Sequence, residues 1–329
     1  MIPGKPALWT PRKGSYQLRE DDGIYYRDPN AAAYGDHPME AAVVSVMKMN
    51  SPSSHGHIDL FACGSTLGNL LRFVRGVDHS FRMLVEVVGN TVHLIRRENS
   101  PKEQIIGVRG FGHVFTEENT TWEKDVTGSN SHQRIMRYRF DGLDMMVRFQ
   151  GDGYVKLIDE EEHHHAPTAV GASPQPESLL LNALQALKIR EEVRPTLEEA
   201  LQTVTGGQIV PQDAMFDIKT RSINVKHRDT LGEELPRLWL AQVKRFILAH
   251  HTSGKFEDVE IQDVSENIEA WEADNQAALR RDGGADSDEE SPEREGDNDL
   301  GEFTDDDSEN FTACDETCGY CGRCATSLI

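Results

Sequence analysis

The sequence predicts an α/β protein (α+β in its segregation of elements), with a mixed central sheet flanked by helices and a disordered acidic C-terminal tail. Three observations lead there. Arg134 to Tyr154 reads RIMRYRFDGLDMMVRFQGDGY, two alternating runs joined by Asp141-Gly142, a dipeptide that tolerates the positive φ of a type I′ hairpin turn. Met215 to Val225, MFDIKTRSINV, has the period of a strand, and Leu235, Leu238, Trp239, Gln242 and Phe246 then fall on one stripe of a helix expected near Leu235 to Ala249. At Arg281 the composition changes abruptly to acids, Gly and Ser.

Charge is unevenly spread. The 329 residues carry a formal −22, of which sixteen acids and three bases between Arg281 and Ile329 supply about −13. A globally basic nucleic-acid glove is thereby excluded, whereas a local arginine cluster is not. No apolar run approaches the length of a membrane span, and the opening MIPGKPALWTPRKGS has no hydrophobic signal core. An intracellular protein of nucleus or cytoplasm, with no membrane partner, is the expectation.

In chain order, residues 1–55 form an N-terminal extension rich in Pro, Gly, Tyr and Asp, with one apolar run from Ala41 to Met49 that suits a strand or a helical turn. A domain over 56–281 follows, interrupted by an insert at about 159–210. Ser65 or Thr66 caps a packing helix with Leu67, Leu70, Leu71 and Val74 on one face. Phe81 to Arg97 alternates around Gly89-Asn90 as a hairpin of the sheet core, and Gln104 to Asp125 passes from a Gly-rich turn into a short helix bearing Glu117 and Glu118.

The insert holds Glu160 to His165, three glutamates and three histidines in a row. Consecutive residues do not converge on one ion, so a solvated segment is the better reading. Leucines from 179 to 201 suggest two amphipathic helices broken near Pro195. After the strand and helix described above, a second hairpin is expected from Phe246 through Ser253-Gly254 to Ile261. A last helix is opened by Asp263 and Glu266 in a capping-box pattern.

Beyond an acidic linker at 282–313, residues 314–324 hold Cys314, Cys318, Cys321 and Cys324. Four thiols so close suit Zn²⁺, although a compact zinc site ordinarily takes two ligand pairs set further apart. Cys63 stands alone and reads as a small buried hydrophobe.

Chemistry concentrates on the hairpin and the following strand. Asp152 ends the hairpin between glycines, and Asp217 and Lys219, two apart, share a strand face. An Asp on one strand, an acid-x-Lys on the next and a helix carrying Gln242 is a layout able to hold a hard divalent cation, Mg²⁺ or Mn²⁺, with Lys219 orienting a water. Glu117 or Glu118 is available to complete the shell; an ordinary solvated helix face explains both equally well. Arg134, Arg137, Arg139 and Arg148 stand beside the acids, either to grip a phosphate backbone or to pair across strands with Asp141 and Asp144.

These motifs resemble the decapping-nuclease (Rai1/DXO-like) branch of the PD-(D/E)XK nucleases, over roughly residues 105 to 262. That branch shows Gly-Φ-x-Φ-Glu, Arg-x-Arg leading to Glu-Φ-Asp, then Glu-Φ-Lys and a helix with Gln. Here the matching segments are Gly112-His113-Val114-Phe115-Thr116, Arg137-Tyr138-Arg139 with Gln150-Gly151-Asp152, Asp217-Ile218-Lys219, and Gln242. The resemblance implies a restriction-endonuclease-like fold and a two-metal hydrolase of RNA 5′ ends. Thr116 and Gln150 replace two of that branch's glutamates, which removes two negative ligands.

The whole chain, with its Cys-Gly-Tyr-Cys-Gly-Arg-Cys ending, is also similar to fungal proteins labelled geranylgeranyl pyrophosphate synthetase. The residues do not support that label: there is no DDxxD motif, and hairpins replace the helical bundle such enzymes need. Two functional expectations result. One is a nuclease-fold protein with lost or weakened catalysis that binds RNA or a protein partner. The other is a metal-dependent phosphodiesterase using Asp152, Asp217, Lys219 and Glu117, with Arg137, Arg139, Arg148 and Gln242 at the substrate.

Overall fold

A computed structural model describes residues 1–35, 37–49, 57–77, 80–157 and 201–280. The histidine triplet, the leucine-rich segment apart from Leu201, and the four clustered cysteines lie outside the described residues.

The strands are β1 (Ile2–Pro3), β2 (Leu8–Trp9), β3 (Tyr16–Gln17), β4 (Leu60–Cys63), β5 (Met83–Val88), β6 (Thr91–Arg96), β7 (Thr120–Thr121), β8 (His132–Phe140), β9 (Leu143–Gly151), β10 (Gly153–Tyr154), β11 (Thr205–Gly206), β12 (Met215–Ser222), β13 (Arg245–Thr252) and β14 (Lys255–Asp263). The helices are α1 (Pro29–Ala33), α2 (Glu40–Met49), α3 (Gly64–Val74), α4 (Gly112–Asn119), α5 (Thr230–Ala241), α6 (Ser265–Asp274) and α7 (Gln276–Leu279).

The fold is mixed α/β, as the pattern predicted, with the strands shared between two main sheets. One has five strands in the order β5-β6-β4-β9-β8 and the other seven in the order β3-β14-β13-β12-β10-β2-β7, both mixing parallel and antiparallel pairs. A parallel β1–β11 pair ties residues 2–3 to 205–206. No described helix is long and apolar enough to cross a membrane.

All three predicted hairpins form, β5–β6, β8–β9 and β13–β14. Asp141 and Gly142 take φ 45° and 87° between β8 and β9, and Ser253 and Gly254 take 48° and 83° between β13 and β14. These are the positive values that a two-residue turn requires to match the twist of its strands.

Helices cover the sheets according to their apolar faces. On one side of the five-stranded sheet α2 packs Ala42 beside Phe61, Cys63 and Met146, which confirms Cys63 as a buried side chain. On the other side Leu67 and Leu71 of α3, Leu238 and Trp239 of α5, and Trp271 of α6 meet Val147 and Phe246 in the largest core. The far face of the seven-stranded sheet is covered by α4, whose Val114 and Phe115 join Phe216, Ile218 and Ile247. Helix α5 therefore lies over the seven-stranded sheet and against β9 at once.

Several boundaries differ from the sequence reading, each for a local reason. The helix expected over 235–249 runs from Thr230 to Ala241, because the Asp229 side chain accepts the Gly232 N–H at 2.9 Å and starts it earlier. Pro236 lies inside this helix. The residues after Gln242 become β13, since Phe246, Ile247, Leu248 and Ala249 are buried on both faces of the sheet, a burial the helical stripe does not describe. Helix α3 starts at Gly64 with Cys63 in the cap position and no side-chain cap, so neither Ser65 nor Thr66 serves there. The run 41–49 is helical. Asp263 accepts from the Ser265 N–H at 3.0 Å but stands one residue outside the cap of α6. Strand β5 lies at a sheet edge with Val85 and Val87 exposed, so that part of the first hairpin is not core.

Candidate functional site

The site is built where the chain changes sheets. Strand β9 ends at Gly151, paired with His132 in the five-stranded sheet, and β10 begins at Gly153, paired with Phe216 in the seven-stranded one. Asp152 is the single residue between them. A Cβ on Gly153 would stand 2.3 Å from Phe216 Cζ and 2.7 Å from the Ala7 carbonyl oxygen, and one on Gly151 2.4 Å from Met215 Cε. Gly153 is held to glycine by close approach to a buried ring and a backbone oxygen rather than by φ, whereas Gly151 meets only the flexible end of Met215. The Ile218 N–H donates to Asp152 Oδ2 at 2.7 Å, which fixes this carboxylate against the next strand.

On β12 the alternation places Asp217, Lys219 and Arg221 on the face toward α5, and Phe216 and Ile218 on the other, as predicted. Helix α5 answers with Glu234 and Arg237, three residues apart and therefore on one face. Arg237 grips Asp217 with two nitrogens, Nη2 to Oδ1 at 2.7 Å and Nη1 to Oδ2. Its Nε donates to Glu234 Oε2 at 2.8 Å, and Lys219 Nζ reaches Glu234 Oε1 at 3.0 Å. Arg221 lies 3.9 Å from the same carboxylate and 3.6 Å from Glu233.

The electrostatics follow from burial and neighbours. Burial and then the charge of Asp217 push Asp152 up to about 7, against the opposing Ile218 hydrogen bond and Arg237. Burial alone would raise Glu234, but Arg237 and Lys219 overcome it and hold the carboxyl down to about 2. Burial likewise opposes the charge on Arg237, yet Asp217 and Glu234 more than offset it and hold the guanidinium above its ordinary value. Carboxylates and cations alternate, so the cluster neutralises itself.

Asp152 stands beside Asp217, Lys219 lies two residues along the same strand, and Glu234 and Arg237, which sequence reading missed, pair with Lys219 and Asp217. Starting the helix at Leu235 left Glu234 outside it and hid the Glu234-x-x-Arg237 spacing. The other candidates stand elsewhere. Glu117 is exposed on α4. Gln242 is the left-handed C-cap of α5, φ 53°, and its amide turns back to the Trp239 carbonyl at 2.6 Å. Arg137 is exposed and pairs with Asp144 at 3.3 Å, the cross-strand alternative, while Arg139 is exposed nearby. Arg148 is buried, donating to the Pro38 carbonyl and to Cys63 Sγ, both at 2.9 Å.

A divalent cation does not fit these side chains as they stand. Both oxygens of Asp217 are taken by a guanidinium. The Thr116 hydroxyl donates to the Gly112 carbonyl within its own helix, and Gln150 faces Gln133 on the hairpin surface. Among the described residues no three His, Cys, Asp or Glu side chains come together as a metal-holding group.

Comparison with known proteins places the chain in context. Among solved structures it is similar to S. pombe Rai1 in complex with 3′-FADP, at 11% identity and TM-score 0.49, over 82% of this chain and 70% of that one. It is similar to Candida albicans Rai1 in complex with pU5-Mn²⁺, at 10% identity and TM-score 0.45, over 85% and 78%. A third is K. lactis Dxo1 in complex with manganese, at 10% and TM-score 0.38, over 86% and 77%. No curated protein matches the sequence. The family model that does match covers residues 1–283, nearly all the described structure, and the chain therefore belongs to the family described as Domain of unknown function (DUF8563).

Proposed function

We propose that this chain is a nuclease-like protein that no longer hydrolyses, and that acts as a binding or scaffold protein for RNA or a protein partner. One observation carries the reading: Arg237 occupies both oxygens of Asp217, the first acid of the acid-x-Lys strand. Carboxylate oxygens are what a hard divalent cation needs, and a fixed guanidinium at that position competes with the ion for every one of them. With Thr116 and Gln150 in place of acids, the remaining charge is balanced by Arg237, Lys219 and Arg221 without any ion.

A second reading, a Mg²⁺- or Mn²⁺-dependent phosphodiesterase, is favoured by Asp152 standing against Asp217 and by Lys219 sharing the β12 face with Asp217. It requires Arg237 to leave Asp217.

Titration of Mn²⁺ and Mg²⁺ into the full chain, beside Asp152→Ala and Asp217→Ala, separates the two. The expected result is the same weak heat from all three proteins, arising from the acidic tail, and no cleavage of a 5′-phosphorylated single-stranded RNA. A stoichiometric site present only in the wild type, together with cleavage, would overturn the binding reading.

A further inference from the structure

A second feature lies on the other side of the hairpin. A cleft of about 1430 Å³ is bounded by the N-terminal residues, α1, α2, the start of β8 and residues 204–210. It is larger than the ~300–1,000 Å³ of ordinary small-ligand sites. Its lining includes none of Asp152, Asp217, Lys219, Glu234 or Arg237.

The charge of that lining is unlike the rest of the molecule. The chain carries 56 acids against 34 lysines and arginines, yet among the described residues no Asp or Glu lines the cleft, whereas Lys5, Arg134, Arg137 and Arg148 do. Two of these cations have carboxylate partners behind the wall, Lys5 with Glu123 and Arg137 with Asp144. The other two have only neutral acceptors among the described residues. Arg134 donates to the Val210 carbonyl, and Arg148, 4% exposed, to the Pro38 carbonyl and Cys63 Sγ.

Removing a guanidinium from water without an opposing charge is costly, and an anion in the cleft would offset that cost. The neighbouring His132 is neutral at pH 7, since burial and then Arg134 push it down to about 4, so the wall has a cation and a neutral imidazole side by side.

The remaining polar groups point to what the anion is attached to. Gln133 and Gln150 are exposed amides on adjacent strands, and Tyr34 presents a ring at the rim, 37% exposed. Amides read the donor and acceptor edge of a base, an aromatic ring stacks on its face, and arginines hold phosphate oxygens. We propose that the cleft between the hairpin and the N-terminal helices binds a nucleoside phosphate, with the phosphate against Arg134 and the base toward Tyr34 and the two glutamines, and without a metal ion. This goes beyond the binding reading given above, and the two fail separately, because here the metal is withheld and a different set of residues is changed.

The test is calorimetric titration of AMP into the full chain in EDTA at low salt, with adenosine and inorganic phosphate as separate arms. AMP is expected to bind more tightly than either. Arg134→Gln is expected to weaken it about tenfold or more, the loss of one charge-assisted contact. Arg134 is partly buried and its loss is able to disturb folding, so Gln133→Glu and Gln150→Glu serve as exposed variants. Each places a carboxylate among lining residues that, as far as they are described, include no acid, and is expected to weaken AMP about threefold to tenfold, as like charge does at short range. Lys255→Gln, an exposed cation outside the cleft, leaves the affinity unchanged. No AMP binding at millimolar concentration overturns the proposal. So does binding of adenosine or inorganic phosphate as tight as that of AMP, and so does full affinity in both glutamate variants.

Discussion

Arg237 and Asp217 face each other across α5 and β12 in a two-toothed contact, the Asp217 side chain 6% exposed and the Arg237 side chain as a whole 49%. The asymmetry decides the energetics. Asp217 has left water and depends on its partner, whereas Arg237 retains part of its hydration and is worth less than a fully buried ion.

Arg237→Gln is accordingly expected to lower stability by about 2 kcal/mol, below the range for fully buried pairs. Asp217→Asn should cost a similar amount. The double variant should cost less than the sum, with a coupling of about 1–2 kcal/mol. Urea denaturation of the four proteins measures the cycle; simple additivity would show that the two side chains do not stabilise each other.

The pH dependence of stability has two limbs with opposite signs. Asp152 titrates near 7 in the folded chain and near 3.8 as a free side chain, so the folded state holds the extra proton between those values. Its contribution is present below the lower value and is lost as pH rises toward 7. Asp152→Asn should therefore gain stability relative to wild type as pH climbs from about 4 to 7, by at most about 1.4 kcal/mol per pH unit. Glu234 is the reverse, about 2 against 4.5, so its stabilisation is present above the upper value and is lost as pH falls through the lower. The deficit of Glu234→Gln should be largest above pH 5 and close in acid. Thermal melts of the three proteins across pH check both limbs.

The sheet crossing predicts an inequality between neighbouring glycines. A methyl at Gly153 meets the Phe216 ring and the Ala7 backbone, neither of which has space to withdraw, whereas at Gly151 it meets the far end of Met215. Gly153→Ala should cost about 3 kcal/mol or more and Gly151→Ala about 1, as overpacking does against rigid and flexible neighbours. Equal losses in denaturant would show that the crossing is not the constraint.

Gln242 tests the distinction between a site residue and a helix end. At φ 53° a glycine removes left-handed strain but forfeits the amide contact to Trp239. Gln242→Gly is expected within about 1 kcal/mol of wild type, with the proposed AMP affinity unaltered. A selective loss of binding with stability intact would restore it to the site.

The sequence by itself determined the hairpins, because a two-residue turn depends on residues such as Asp141-Gly142 and Ser253-Gly254 and on nothing distant. It also determined which faces of β12 carry Asp217 and Lys219, since alternation is a property of any strand. The tertiary structure decided the rest. Whether α5 starts at Thr230 or Leu235 turned on one Asp229 cap, and that difference brought Glu234 and Arg237 onto the strand's acids. Whether Arg148 meets a phosphate or the Pro38 carbonyl depended on which helix covers the five-stranded sheet. Local spacing specifies a side chain's direction from its own backbone, but its partner is whatever the packing of non-adjacent elements brings to that point, and at Asp217 packing brought an arginine.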